Sequence, residues 1–274
     1  MQPVTAQRLS LNTATVREQW NLAQCIDGCA RHGLGGIAPW RDKLHEMGTS
    51  RAARAIRDAG LRVSGLCRGG WYTEEGKLTQ AVLDDNYRAV DEAAGIGAEC
   101  LVMVVGGVPK GTRDLYGAHA IVEEGLARTR DYAVKAGVPV AIEPLHPMYA
   151  GDRACVNSMR HALDICDRLG EGLGVAMDVY HVWWDADLPA QIRRAGKERL
   201  LAFHICDWLV PTRDLLLDRG MMGDGVIDIR GIREMVEATG FDGLCEVEIF
   251  SGQDWWTRDP DEVLRIMIER AAAV

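Results

Sequence analysis

Val140-Ala141-Ile142-Glu143-Pro144 is a short apolar run closed by an ionisable side chain, and three later stretches end in the same way: Val175-Ala176-Met177-Asp178, Leu201-Ala202-Phe203-His204 and Cys245-Glu246-Val247-Glu248. A buried strand is stabilised by Val, Ile and Leu, whereas an ionisable group in its line is costly unless a partner or a metal compensates. One such group has a plain explanation, as a helix cap or an arginine partner. Four of them, closing the last four strand-like runs of the chain, point to one shared site.

Working outward from residue 140, apolar runs recur at 9–11, 36–38, 61–66, 100–105, 138–142, 173–177, 200–205 and 244–249. Helical patterns lie between them. Val16, Trp20, Ala23 and Ile26 fall on one face, as do Ile121, Val122 and Leu126, and Met159, Leu163, Cys166 and Leu169. Alternating strands and helices imply a parallel sheet covered by helices, and eight units in 274 residues match the size of a closed barrel. The expected fold is α/β, a single (β/α)8 TIM barrel over residues 1–274. A doubly wound open sheet is the competing architecture. Against it, no G-x-G-x-x-G follows the first strand, and the polar candidates come from many strands rather than one crevice.

With 47% hydrophobic and 26% charged residues and no linker or low-complexity segment, the chain reads as one domain with a full core. Residues 1–10 lack the apolar core of a signal peptide, and no apolar stretch approaches the roughly 18 residues that span a bilayer. The expected location is the cytoplasm, without a membrane partner. A net charge of −9 argues against a nonspecific grip on nucleic acid, which depends on Lys and Arg neutralising phosphates. The eight cysteines, at 25, 29, 67, 100, 155, 166, 206 and 245, form no C-x-x-C pair and read as small core hydrophobes. A homo-oligomer is compatible with this composition.

Two Glu, one Asp and one His supply three anionic oxygen donors and one nitrogen. That set suits one divalent ion, with Mn2+ preferred and Mg2+, Co2+ or Zn2+ compatible, and leaves a coordination position for substrate.

Ile142-Glu143-Pro144, Met177-Asp178-Val179-Tyr180-His181, Phe203-His204-Ile205-Cys206-Asp207, the turn Gly223-Asp224-Gly225-Val226-Ile227-Asp228, and Gly240-Phe241-Asp242-Gly243 leading into Val247-Glu248-Ile249-Phe250 resemble stretches of the xylose-isomerase-like barrels. That family includes sugar phosphate isomerases and epimerases, ketose 3-epimerases and inosose isomerases. The resemblance covers essentially the whole chain and is most specific over residues 138–250. It implies that Glu143, Asp178, His204 and Glu248 hold the metal. Glu246 competes for the last place, because strand alternation puts it on the same face as Glu248, but Glu248 lies nearer the strand end, where active residues of barrels sit.

The activity implied is a metal-dependent sugar isomerase or epimerase acting on a ketose, keto-sugar or inosose. Moving a carbonyl along a sugar, or inverting the carbon beside it, requires removing a proton alpha to the carbonyl and steadying the enediolate that forms. A metal can do the steadying as a Lewis acid, and two carboxylates, Glu143 and Glu248, can take and return the proton. By the resemblance, His181 and Arg219 hold substrate hydroxyls and orient the polarised oxygen; taken alone, they read equally well as a loop histidine and a solvated charge. His146, Trp183 and Arg68 complete the expected substrate contacts.

Trp40, Trp71, Trp183, Trp184, Trp208, Trp255 and Trp256 all follow strand ends on the expected catalytic face. They either pack loops onto the rim or form an apolar wall for a sugar ring or an attached group. Gly69-Gly70 and Gly106-Gly107, with Arg68 or Lys110, offer only a weak case for phosphate recognition. A lyase or deglycosidase acting on an oxidised 3-keto sugar or glycoside would use the same residues and is the alternative activity. A repair endonuclease would need further metal ligands and a basic face, and a noncatalytic barrel would have no use for a complete ligand set.

Overall fold

The computed structural model describes residues 2–274. In chain order its strands are β1 (Leu9–Asn12), β2 (Gly36–Ala38), β3 (Arg62–Val63), β4 (Leu66–Gly70), β5 (Leu101–Val104), β6 (Val140–Ile142), β7 (Leu173–Asp178), β8 (Leu200–Ile205), β9 (Asp207–Trp208), β10 (Arg219–Gly220) and β11 (Cys245–Val247). Nine of them form a sheet in the order β3-β2-β1-β11-β8-β7-β6-β5-β4, with every pairing parallel, while β9 and β10 make a separate antiparallel pair. Parallel bridges from Trp40 to Cys67 and from Val63 to Ala98 join the two ends of the sheet. The result is a nearly closed TIM barrel.

The single third strand expected over 61–66 is in fact two pieces. Ser64 N still donates to Ile37 O on the β2 side at 3.2 Å, whereas Leu66 N donates to Cys100 O on the other side at 3.0 Å. Both neighbours are kept, since Glu99 N donates to Val63 O at 2.9 Å and Cys67 N to Pro39 O at 3.0 Å, but the alternation slips by one residue at Gly65, which breaks the strand. The helix expected to include Trp20 begins only at Leu22, because Asn21 caps it: Asn21 Oδ1 accepts from Gln24 N, and the Gln24 side chain accepts from Asn21 N, both at 3.0 Å. Trp20 stays buried by packing on Gly28, where a Cβ would lie 2.3 Å from the indole ring.

Helices such as Gln80–Ile96, Leu115–Ala136 and Met159–Leu169 cover the sheet and share the larger hydrophobic core with its outer face. A second, small core comprises Cys67, Cys100, Val102, Ala141, Ala176 and Ala202. Ala141, Ala176 and Ala202 each stand two positions before Glu143, Asp178 and His204, so strand alternation points them to the same interior face. Small side chains there leave room for a polar layer above them. All eight cysteines are buried and free. Among the described residues, no helix is long and apolar enough to cross a membrane.

Candidate metal centre

Glu143 directly follows β6, Asp178 ends β7, His204 lies in β8, and Glu248 directly follows β11. Strand register sets Asp178 beside His204 on one side and Glu246 beside it on the other. One donor atom from each of Glu143, Asp178, His204 and Glu248 lies within 4.8 Å of all the others, and all four residues are buried. His204 Nδ1 is 3.2 Å from Glu143 Oε1 and 3.8 Å from Glu248 Oε2. Neither ring nitrogen of His204 nor Glu143 Oε1 meets hydrogen-bond geometry. Buried polar atoms left without partners are costly, and His204 Nδ1 and Glu143 Oε1 face each other among the carboxylates. A divalent cation fits this donor set.

Glu246 lies behind the cluster rather than in it. Asn12 Nδ2 donates to Glu246 Oε1 at 2.7 Å, Ser64 Oγ donates to Glu246 Oε2 at 2.6 Å, and His204 Nε2 sits 3.4 Å from Glu246 Oε1. A carboxylate facing Nε2 favours the tautomer that leaves Nδ1 free to face the other three groups. Asn12 Nδ2 also donates to Glu248 Oε1 at 3.0 Å, and its Oδ1 accepts from Trp40 Nε1 at 2.8 Å. The floor of the site is therefore a hydrogen-bonded layer that fixes both glutamates of β11 and its extension.

Arg219 reaches the cluster from β10. Its Nη1 is 2.8 Å from Asp178 Oδ2 and 3.2 Å from Glu248 Oε2, and its guanidinium lies 4.4 Å from the ring centroid of Tyr180 and 5.1 Å from that of Phe250. Asp207, on β9, fixes the connection that carries Arg219: its Oδ2 accepts from Gly223 N and Gly225 N at 2.9 Å, and its Oδ1 from Ile227 N at 3.0 Å. In the same turn Asp224 Oδ2 accepts from Trp255 Nε1 at 3.2 Å, and Asp228 caps the helix Ile229–Ala238. The turn motif in this sequence is thus tied to Asp207, in the connection that carries Arg219.

Burial opposes the charge of Asp178, but Arg219 holds its carboxyl below the usual range. Burial lowers His181 to about 3, so this ring is neutral. Burial pushes Glu248 up to about 8; Arg219 pulls against this and Glu143 adds to it. Burial works against a charged His204, yet Glu246, Glu143 and Glu248 together hold its pKa well above the usual imidazole value. Without metal, both groups therefore carry protons at neutral pH, and an ion must displace them. Loading a divalent ion near pH 7 is expected to release about one proton or more per ion, and affinity is expected to fall as pH drops below about 8. Titration calorimetry in buffers of different ionisation enthalpy measures this; loading without proton release would contradict it.

A cavity above the cluster is lined by Trp40, Cys67, Arg68, Tyr149, Arg153 and Phe250 together with Glu143, His181, Arg219 and Glu248. Of the expected substrate contacts, Arg68, His181 and Arg219 reach it. His146 and Trp183 do not line this cavity; they belong to an aromatic cluster in which Trp208 lies 5.0 Å from the His146 ring and 5.8 Å from Trp183. His146 contributes through its backbone, donating N–H to His181 Nδ1 at 3.2 Å. Of the expected tryptophan wall only Trp40 lines this cavity; Trp71 lines a neighbouring one, and Trp255 is buried on Asp224. Tyr149, Arg153 and Asn12 were not legible as site residues. The signal available for the first two is the long 143–158 connection after β6.

The sequence model of the family described as xylose isomerase-like TIM barrel matches residues 26–270. A solved protein of Sinorhizobium meliloti 1021 is 56% identical, with 97% of each chain covered and a TM-score of 0.94. Inosose isomerase of Bacillus licheniformis is 24% identical over 288 residues, covering 97% of this chain and 97% of its own. The IOLI protein, solved with a zinc atom bound, shares 18% identity and a TM-score of 0.83 over 97% of both chains.

Proposed function

Because this chain belongs to the xylose isomerase-like TIM barrel family, we propose that it is a divalent-metal-dependent sugar isomerase or epimerase that moves a proton on the carbon beside a carbonyl. The observation that carries this reading is the group of unpartnered donors on Glu143 and His204 among the carboxylates of Asp178 and Glu248. The similarity to inosose isomerase supports the substrate class, a carbohydrate with a carbonyl next to a hydroxyl-bearing carbon.

Glu143, Asp178, His204 and Glu248 would hold the ion, which when bound acts as a Lewis acid toward the substrate carbonyl. Glu143 on the β6 side and Glu248 on the β11 side, separated in the sheet by β7 and β8, take the proton and return it. Arg219 offsets the charge of Asp178 and Glu248 and keeps both carboxylates in place. The His181 ring is held between the His146 amide, 3.2 Å from Nδ1, and Arg219 Nη2, 3.2 Å from Nε2, and the His181 and Arg219 side chains both line the cavity. A substrate oxygen that gains negative charge at this corner would be stabilised by them.

Replacing His181 by Ala is expected to lower kcat/KM by about 10²-fold, the order of a single-donor deletion, with metal content unchanged. Elemental analysis alongside kinetics checks both parts. The reading as a whole is tested by incubating metal-loaded protein in deuterated water with ketoses, inososes and 3-keto-glycosides. Deuterium at the carbon beside the carbonyl, together with interconversion, is expected. Interconversion without exchange from solvent would contradict the proton transfer, and exchange with bond cleavage in place of interconversion would assign a lyase.

A further inference from the structure

Two arginines of the cavity have nothing in the protein to bind. Arg68 lies with its guanidinium 5.6 Å from the ring centroid of Trp40 and 4.4 Å from that of Trp71, and Arg153 lies 5.8 Å from the ring centroid of Tyr149. Among the described residues neither guanidinium forms a hydrogen bond or an ion pair, although both residues are half-buried. Two other arginines with little exposure are paired with carboxylates: Arg41 with Asp85 and Glu92, and Arg219 with Asp178 and Glu248. Glu74 and Asp152, which line the adjoining cavity, are exposed and make no ion pair with Arg68 or Arg153; Glu143, in the shared cavity, makes none either. Burial, with the like charge of Arg153 behind it, pulls Arg68 down to about 10. Keeping two cations close together in a half-buried cleft is unfavourable without an anion.

The charge balance and the cavity shape lead to the same place. Glu143, Asp178, Glu246 and Glu248 face Arg219 and the charge of a divalent ion, which leaves one negative charge; Arg68 and Arg153 bring two positive ones. Both arginines line the cavity above Glu143 and Glu248, and Arg153 also lines an adjoining cavity of about 460 Å³ with Trp71 and Lys110. Trp71 has φ +56° with its amide donating to Val104 O at 2.8 Å. That left-handed conformation is costly for a bulky residue and persists only where the surroundings enforce it. Here it lays the indole against the Arg68 guanidinium, which fixes the fork's direction.

We propose that Arg68 and Arg153 form an anion subsite, so that the substrate carries, besides its reacting carbonyl, a carboxylate or a phosphate group placed where the two cavities meet. This rests on the isomerase reading for its placement relative to the chemistry, but the binding itself is measurable without turnover. Metal-loaded protein is titrated with acetate and with inorganic phosphate, followed by tryptophan fluorescence, since Trp40 and Trp71 flank Arg68. Saturable binding in the millimolar range is expected for one of them, and which one identifies the group. Arg68→Met and Arg153→Met are each expected to weaken it by about 10- to 100-fold, the range for a charge-assisted hydrogen bond, with metal content as in the parent. Arg68→Lys, which keeps the charge without the fork, is expected to lie between. No saturable binding of either anion, or binding that survives both methionine variants, overturns the subsite. Deuterium exchange in the same samples separates the two claims. Anion binding that depends on the arginines, with no exchange on any sugar, supports the subsite and sinks the isomerase reading; exchange on neutral ketoses with no anion binding does the reverse.

Discussion

Glu143→Gln is expected to give a folded, metal-loaded barrel whose turnover is about 10²- to 10⁴-fold below that of the parent, the usual worth of a positioned general base. Folding should survive because the Glu143 side chain makes no hydrogen bond in the protein, while its backbone N donates independently to Met103 O at 3.1 Å. Gln has nearly the same volume and keeps one oxygen to face the ion. What it loses is the ability to accept a proton from carbon. Solvent deuterium is therefore expected to enter the substrate with the parent protein and not with the variant. A metal-loaded variant that turns over at the parent rate would remove Glu143 from the mechanism, and with it the two-carboxylate proton transfer.

The two glutamates at the end of the barrel should behave differently. Glu248→Gln is expected to lose both metal and turnover, because it deletes a charge from the cluster and offers an amide to the Arg219 guanidinium that now faces Glu248 Oε2 at 3.2 Å. Glu246→Gln should retain metal with about 10- to 100-fold weaker affinity, the typical cost of losing a partner that orients a ligand. Its carboxylate faces His204 Nε2 and accepts from Asn12 and Ser64, so its role is to set the imidazole. Elemental analysis after gel filtration distinguishes the two variants. Metal lost from the Glu246 variant and kept by the Glu248 variant would move the ligand back by one pleat.

Much of the architecture could be read from the chain because a barrel strand has to bury apolar side chains on both faces, and each polar interruption of such a run is conspicuous. Glu143, Asp178, His204 and Glu248 stood out for that reason, and the structure brings their donor atoms within 4.8 Å. The break in the run at 61–66 was harder, since the slip in alternation at Gly65 shows only in the pairing with both neighbouring strands. Trp20 was drawn into a helix by periodicity, whereas Asn21 and Gln24 carry the stronger capping signal. Loop residues were the least legible. Trp183 and His146 follow strand ends as catalytic groups do, yet they pack against Trp208, and nothing in the sequence separates a rim aromatic from a cavity aromatic. Arg153 escaped notice because an isolated arginine in a connection looks solvated until its missing partner can be seen.

X-ray diffraction at the manganese absorption edge from crystals of Mn2+-loaded protein tests the central claim most directly. One anomalous peak is expected, about 2.0–2.3 Å from carboxylate oxygens of Glu143, Asp178 and Glu248 and from His204 Nδ1, with Glu246 still behind the ring. Absence of a peak at that position, or a peak held by Glu246 and His204 Nε2, would contradict it.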